Sequence, residues 1–385
     1  MKVLHINCNY IGTALHRVMF RHVNAGGGHK VFVPSDGRKE WQGFVPAADE
    51  TVSECFRPYD RYIFFKKQAQ IRRSVEKSFD VKGFDCLHAY TLFTDGNCAM
   101  TLSKKYNIPY VAAVRNTDLN GFFKRRWLLR RRGIRILENA SAVFFLSETY
   151  RRQLLERYVP RDKWDGILQK SHIIPNGVDP FWLENPAPPK GEETMARLRR
   201  REVRVIVAAR IDRYKNQVRT AEAVEELIRR GYEVRFTAVG RVLEDSVLER
   251  LRQCPGFVYI PPQPKEKLLE LYRENDLFVM PSTDETFGLV YPEAMSQRLP
   301  VIYSVGEGFY GQFPEGEAGY AADPRSTQDV VDKILLALEH YEEISARAPE
   351  LARRFDWRDI TAQYQEIYRH VTSADRSCAG REAGA

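Results

Sequence analysis

Asp276-Leu-Phe-Val-Met-Pro-Ser-Thr-Asp-Glu285-Thr-Phe-Gly-Leu-Val-Tyr-Pro-Glu293-Ala-Met-Ser-Gln-Arg-Leu-Pro-Val-Ile302 is the stretch on which the reading of this chain turns. Leu277 to Met280 is an apolar run closed by Pro281 and Ser282, the pattern of a buried strand opening into a loop. A helix is predicted from about Gly288, with Pro292 tolerated in its first turns, and a second strand from Pro300. Glu285 falls on the loop and Glu293 on the helix, with seven residues between them. In α/β proteins, anionic ligands bind at the corner where the carboxyl end of a strand feeds a helix N-terminus. Amides near Phe287, Gly288 and Leu289, following Thr286, can face a phosphate, while carboxylates accept hydrogen bonds from sugar hydroxyls. Either acid alone reads as a solvated side chain on an ordinary crossover. The pair, in this context, points to a ligand.

A second corner lies upstream in the same half. Arg204-Val-Ile-Val-Ala-Ala-Arg210-Ile-Asp-Arg-Tyr-Lys215-Asn-Gln reads as a buried strand, a cationic loop and then a helix through Arg230. Arg210 and Lys215 can converge on one pyrophosphate, the first as a bidentate fork and the second as a point charge. The predicted strand Glu233–Val239 ends in Gly240-Arg241. Tyr303 to Gly311 is a glycine-rich loop after another strand, which reads equally well as a donor-lining segment and as plain turn chemistry.

Two domains fit within 385 residues, and 43% hydrophobic with 29% charged residues is a globular composition. No run of eighteen or more apolar residues occurs, so no transmembrane helix is expected. Met-Lys-Val-Leu-His-Ile-Asn-Cys reads as a first strand rather than a secretory signal. The six cysteines are scattered, without Cys-x2-Cys or zinc-like His spacing, so the expectation is a reduced, cytoplasmic setting and no metal site. A net charge of +8 suits nucleic acid, an anionic membrane surface or a phosphorylated substrate, and no nucleic-acid-binding motif supports the first.

The N-terminal half alternates strands and helices, which implies a parallel sheet. Gly12, after the first strand, could approach a ligand closely or simply make a tight turn. Residues 36–80 interrupt the rhythm with Trp41, Phe44, Phe56, Tyr59, Tyr62, Phe64 and Phe65 among many charges. They shape an acceptor pocket or dimer contact, or form an amphipathic helix laid on the sheet, and both readings stay open. His88 lies near one strand end, and Arg115, Asn116 and Asp118 follow another. Residues 122–135 carry seven basic residues interleaved with Phe, Trp, Leu and Ile. That is the composition of an interfacial basic helix capable of peripheral membrane contact, of a solvated helix face, or more remotely of a nucleic-acid contact. Residues 181–202, rich in proline and then arginine, read as an interdomain linker. The tail, 372–385, reads as disordered.

Glu-x7-Glu followed by Ala-Met and Leu-Pro-Val-Ile resembles the signature of the GT-B glycosyltransferases of family 4, as does Ile173 to Asp179 at the end of the first half. The resemblance implies an α/β GT-B fold: two Rossmann-like domains with parallel sheets facing across a cleft. An acceptor-binding domain would span 1–180, with a late helix at about 357–371 packing back on it, and a donor domain 203–356. It implies a retaining, metal-independent transferase without cofactor; with the cysteine pattern and the basic segment, the expected setting is the cytoplasm, with room for peripheral contact at the inner face of the membrane. The sugar would pass from a nucleotide-diphosphate sugar to a polysaccharide or glycolipid acceptor. Arg210 and Lys215 would stabilise the leaving diphosphate, and Glu285 would orient the sugar. Glu293 would hold the ribose, with Thr286 to Leu289, Gly240 and Gly12 near the donor. The family's glycines beside the cationic positions are here Ala209 and Asn216. Many members also carry a His where this chain has Arg115, Asn116 and Asp118, so those residues and His88 are the acceptor-side candidates. The alternatives are a nucleotide-sugar epimerase of the same fold and a non-catalytic donor-binding subunit.

Overall fold

The computed structural model describes residues 1–37 and 44–382. Two units follow from the packing of the chain: Met1–Leu146 with Tyr150–Pro175 and the segment from Arg358, and Ser147–Thr149 with Asn176–Trp357. In unit 1, β1 (Val3–Ile6), β2 (Lys30–Ser35), β3 (Glu50–Glu54), β4 (Cys86–Ala89), β5 (Tyr110–Val114), β6 (Ala142–Phe145) and β7 (Ser171–Ile173) form one parallel sheet. Its order is β3-β2-β1-β4-β5-β6-β7. In unit 2, β8 (Glu202–Ala208), β9 (Glu233–Val239), β10 (Phe257–Ile260), β11 (Leu277–Val279), β12 (Val301–Ser304) and β13 (Gly319–Ala322) form a second parallel sheet, ordered β10-β9-β8-β11-β12-β13.

These orders follow from composition. Val205 to Val207 and Leu277 to Val279 are apolar runs with no solvent exposure, as central parallel strands covered by helices on both faces must be. In each sheet the chain winds outward from one strand, then restarts on that strand's other side. The carboxyl ends of β1 and β4, and of β8 and β11, therefore flank a topological switch point, where loops diverge and leave a crevice for ligands.

One open reading is decided and several expectations are corrected. Within 36–80, β3 is an edge strand beside β2, and Phe64–Ser78 is an amphipathic helix that buries Phe64, Gln68, Ile71 and Val75. Gln68 accepts from the Asn97 amide at 3.0 Å, so this helix lies against Thr94–Tyr106. Trp41 lies outside the described residues. The basic segment 122–135 is not one helix: a wide helical turn ends at Phe123, a 3-10 turn covers Trp127–Leu129, and only Arg130–Asn139 is α-helical. Phe122 stacks on Phe93 at 4.5 Å and Phe123 is fully buried against Tyr158, so both are drawn inward and the basic run that follows must bend out.

The linker expected at 181–202 belongs to unit 2. Helices Pro180–Glu184 and Glu192–Arg199 form there, and Arg298 and Lys190 donate to the carbonyls of Ala187 and Asn275, each at 2.8 Å. Arg197 grips the buried Asp276 carboxylate with both guanidinium nitrogens. At the other end, the last helix runs Trp357–Glu382 through most of the tail expected to be disordered, with residues 383–385 outside the described set. Ile360, Tyr364 and Tyr368 share its buried face, spaced as helical periodicity requires. Among the described residues no helix is long and apolar enough to cross a membrane.

Candidate functional site

The loops that leave β8 and β11 meet at the switch point of unit 2. After β8, the Asp212 carboxylate accepts from the amides of Tyr214 and Lys215 at 3.0 and 2.9 Å and closes a tight turn. Asn216 adopts a left-handed conformation, φ 58°, where a family glycine was expected. Asparagine is among the few side chains that tolerate this region, so the replacement keeps the backbone path. Its amide donates to the carbonyls of Pro281 at 2.8 Å and Pro324 at 2.9 Å, and the Thr283 amide donates to Tyr214 at 2.8 Å. The two loops are thereby pinned to each other.

Lys215 and Glu285 are brought into direct contact, with the ammonium bonded to the Glu285 Oε2 and both side chains mostly shielded from water. Arg210 leaves the same loop with its side chain 59% exposed and its guanidinium 3.4 Å from the Asp212 carboxylate. Glu285 is held from behind: its amide donates to the Glu307 carboxylate at 2.8 Å, and its carbonyl accepts from the Gly308 amide at 3.1 Å. A Cβ on Gly308 would lie 2.0 Å from the Thr286 carbonyl oxygen, so the glycine-rich loop is needed to brace this corner. Burial pushes Glu307 up to about 7; the Glu285 amide and Lys215 oppose the shift, and Asp284 and Glu285 reinforce it.

The helix begins at Val290, later than the sequence suggests, because Gly288 is left-handed at φ 80° and breaks the helical path. Thr286, Phe287 and Gly288 thus form a strap ahead of the helix. Phe287 is buried, and the Tyr291 hydroxyl donates to the Met280 carbonyl at 2.7 Å, tying the helix start to the end of β11. Glu293 has separate surroundings. Burial, then the charge of Asp179, raises its carboxyl to about 8, with the Tyr272 hydroxyl opposing. Asp179 itself caps the helix Pro180–Glu184 and pairs with Lys265 at 2.9 Å. At Gly240, φ is 150° and a Cβ would come within 1.9 Å of the Ala209 carbonyl oxygen, so the fold itself demands glycine.

Unit 1 gathers fewer of the expected residues. His88 is fully buried in β4, bonded through Nδ1 to the Tyr368 hydroxyl at 2.5 Å and stacked on Tyr90. Desolvation holds its imidazole well below the ordinary range, so it is a neutral core residue rather than an acceptor-side group. Asp118 is likewise buried, and accepts from the amides of Leu92, Phe93 and Arg115 at 2.9 to 3.2 Å. It staples the loop after β5 to the start of the helix Thr94–Tyr106, while burial raises it to about 6. Arg115 is buried and donates to the Tyr90 carbonyl at 3.2 Å; Asn116 is half-buried and accepts from Asn120. Gly12 is exposed, and a Cβ there would meet only Asn9, so packing does not require glycine. Sequence reasoning missed Asp95, whose carboxylate bridges the switch point of unit 1 from the Cys8 amide at 3.1 Å to the Thr91 hydroxyl at 2.9 Å. It also gave no role to Asp212, Glu307 or Asp179, although Asp212 lies in the cationic loop, Glu307 in the glycine-rich loop and Asp179 at the end of the Ile173–Asp179 stretch.

Asp118→Ala should destabilise unit 1 by about 3 kcal/mol, because three shielded amides lose their acceptor, and Asp118→Asn should restore part of it; urea titration measures both. Glu293 binds its proton more tightly folded than unfolded, so its contribution to stability falls as pH rises from about 4.5 to about 8. Glu293→Gln removes that loss. Its melting temperature relative to the wild type should therefore climb across this window in paired thermal melts.

Residues 12–181 match the family model Glycosyltransferase Family 4, and residues 193–355 match Glycosyl transferases group 1. A D-inositol 3-phosphate glycosyltransferase of Rhodococcus erythropolis is 30% identical over 182 residues, covering 44% of this chain and 41% of that protein. A sulfoquinovosyl transferase of Arabidopsis thaliana is 35% identical over 136 residues, covering 34% and 26%. The chain spans between 26% and 52% of the length of the curated relatives it matches. Among solved structures, sucrose-phosphate synthase of Thermosynechococcus elongatus superposes with a TM-score of 0.72 at 18% identity, over 97% of this chain and 100% of that one. HepE of Anabaena, solved in complex with UDP, gives 0.71 at 17%, over 95% and 99%. These likenesses establish the GT-B architecture. Two adjoining glycosyltransferase family models are thus matched in sequence order, one in each half of a chain of GT-B architecture.

Proposed function

We propose that this chain is a retaining, metal-independent glycosyltransferase that moves a sugar from a nucleotide-diphosphate sugar to a glycan or glycolipid acceptor. The observation that carries the reading is the Lys215–Glu285 contact at the β8/β11 switch point, with Arg210 exposed on the same loop. Departure of a nucleoside diphosphate leaves negative charge on the bridging oxygen and positive charge on the anomeric carbon. Lys215 and Arg210 would stabilise the first; a carboxylate beside them would orient hydroxyls of the sugar. Glu293, in its own recess beside Asp179 and Tyr272, would hold the ribose, and Gly12 offers room for a ligand in unit 1. Metal independence is proposed because Lys215 and Arg210 would supply the positive charge that a leaving diphosphate needs. The acceptor proton would go to the leaving phosphate, so Glu285 orients rather than attacks.

The test is incubation with a panel of nucleotide sugars and candidate acceptors in EDTA, following nucleoside diphosphate release. Acceptor-dependent release with at least one donor is expected, and Lys215→Ala should lower turnover by ~10² to 10³, the usual worth of one preorganised donor at developing charge. Glu285→Ala should lower turnover more than binding, and Glu293→Ala binding more than turnover. Epimerisation of a donor without acceptor would instead identify an isomerase, and donor binding without any release a non-catalytic subunit.

A further inference from the structure

Unit 1 exposes large apolar side chains in an unusual concentration. Of the eleven exposed large hydrophobics among the described residues, six lie on two segments, Arg57–Lys67 and Phe122–Arg131. They are Tyr59, Tyr62, Ile63 and Phe65 on the first and Trp127 and Leu128 on the second, with Tyr62 79%, Trp127 67% and Leu128 74% exposed. The segments are neighbours. Phe64 meets Phe122 edge-on at 6.2 Å, and Arg126 donates to the Arg61 carbonyl at 3.4 Å. Neither is loosely attached: Phe64 is buried between Ile63 and Phe65, and buried Phe123 and Leu129 flank the run from Lys124 to Leu128. The fold presents these side chains on anchored turns.

Charge completes the pattern. The two segments carry nine Lys and Arg, against the single acid Asp60, which is itself buried and paired with Lys66. Lys124, Arg125 and Arg131 are exposed with no carboxylate partner among the described residues. We infer that these two turns form a docking surface for an anionic lipid bilayer. Trp127, Leu128, Ile63 and Phe65 would enter the headgroup boundary, Tyr59 and Tyr62 would sit at its polar level, and the cations would meet lipid phosphates. Single-stranded nucleic acid fits less well, since Leu128 and Ile63 offer no ring face for a base. A second copy of the chain fits poorly too, since a self-complementary contact would bring the two cation sets together. The inference stands apart from the transferase reading, because its test measures no activity.

Flotation of the full chain with vesicles tests it, using phosphatidylcholine alone and an equal mixture of phosphatidylcholine and phosphatidylglycerol. Strong partition onto the mixed vesicles and little onto the neutral ones is expected. Lys124→Ser with Arg125→Ser should weaken partition by roughly 30-fold, about fivefold per cation. Trp127→Ser with Leu128→Ser should weaken it at least about tenfold with the melting temperature unchanged, since both side chains are exposed. Absence of partition onto mixed vesicles would overturn the inference, as would binding indifferent to Trp127 and Leu128. So would finding that the same variant abolishes a dimer seen by light scattering, or that only single-stranded RNA binds the surface.

Discussion

The contact between Lys215 and Glu285 is the constraint on which the switch-point corner of unit 2 depends. The two residues lie seventy positions apart in the chain, yet β8 and β11 are adjacent in the sheet, so their outgoing loops share one crevice. Withdrawing an ammonium and a carboxylate from water is expensive, and their attraction offsets that only when geometry is held fixed. The surroundings meet this need. Asp212 shapes the loop that carries Lys215, Asn216 and Thr283 lash the two loops together, and Glu307 with Gly308 fixes the backbone of Glu285. The left-handed positions at 216 and 288 are where the chain bends sharply enough for this to close.

The corner also holds more acid than base close at hand. Glu285 contacts Lys215, Glu307 feels the charge of both, and Glu307 is pushed up to about 7 by burial, with the charges of Asp284 and Glu285 adding to it. On the transferase reading, an arriving diphosphate competes with Glu285 for the lysine. The carboxylate so released can turn to sugar hydroxyls, while Arg210, lying largely in solvent, adds a second cation. Ground-state pairing within the protein and charge stabilisation in the transition state are then two uses of one ammonium.

Much of this half was legible because its strands are unbroken apolar runs and its charged residues cluster where those runs end. Asn216 looked like a weakened motif, although what matters there is a positive φ, which asparagine supplies. The prolines of 181–202 read as a linker because the donors that strap them down, Lys190 and Arg298, act on carbonyls far away in sequence. The basic run 122–135 read as one helix because composition does not reveal that Phe122 and Phe123 are drawn inward just before it bends out. His88 and Asp118 looked like site residues because strand ends collect polar groups. The sequence does not say which face of β4 meets the tyrosines of the last helix, nor that the Asp118 carboxylate is already saturated by three amides.

The account is tested most directly by calorimetric titration of nucleoside diphosphates, in EDTA, into the wild type, Lys215→Met and Glu285→Gln. At least one nucleotide should bind the wild type. Lys215→Met should weaken that binding by about tenfold or more, in keeping with a charge-assisted hydrogen bond worth roughly 1.5–3 kcal/mol. Glu285→Gln should bind at least as tightly as the wild type, because the lysine no longer has a competing carboxylate. Affinity unchanged by the loss of Lys215, or lost with Glu285→Gln, would contradict the assignment of this corner as the diphosphate site.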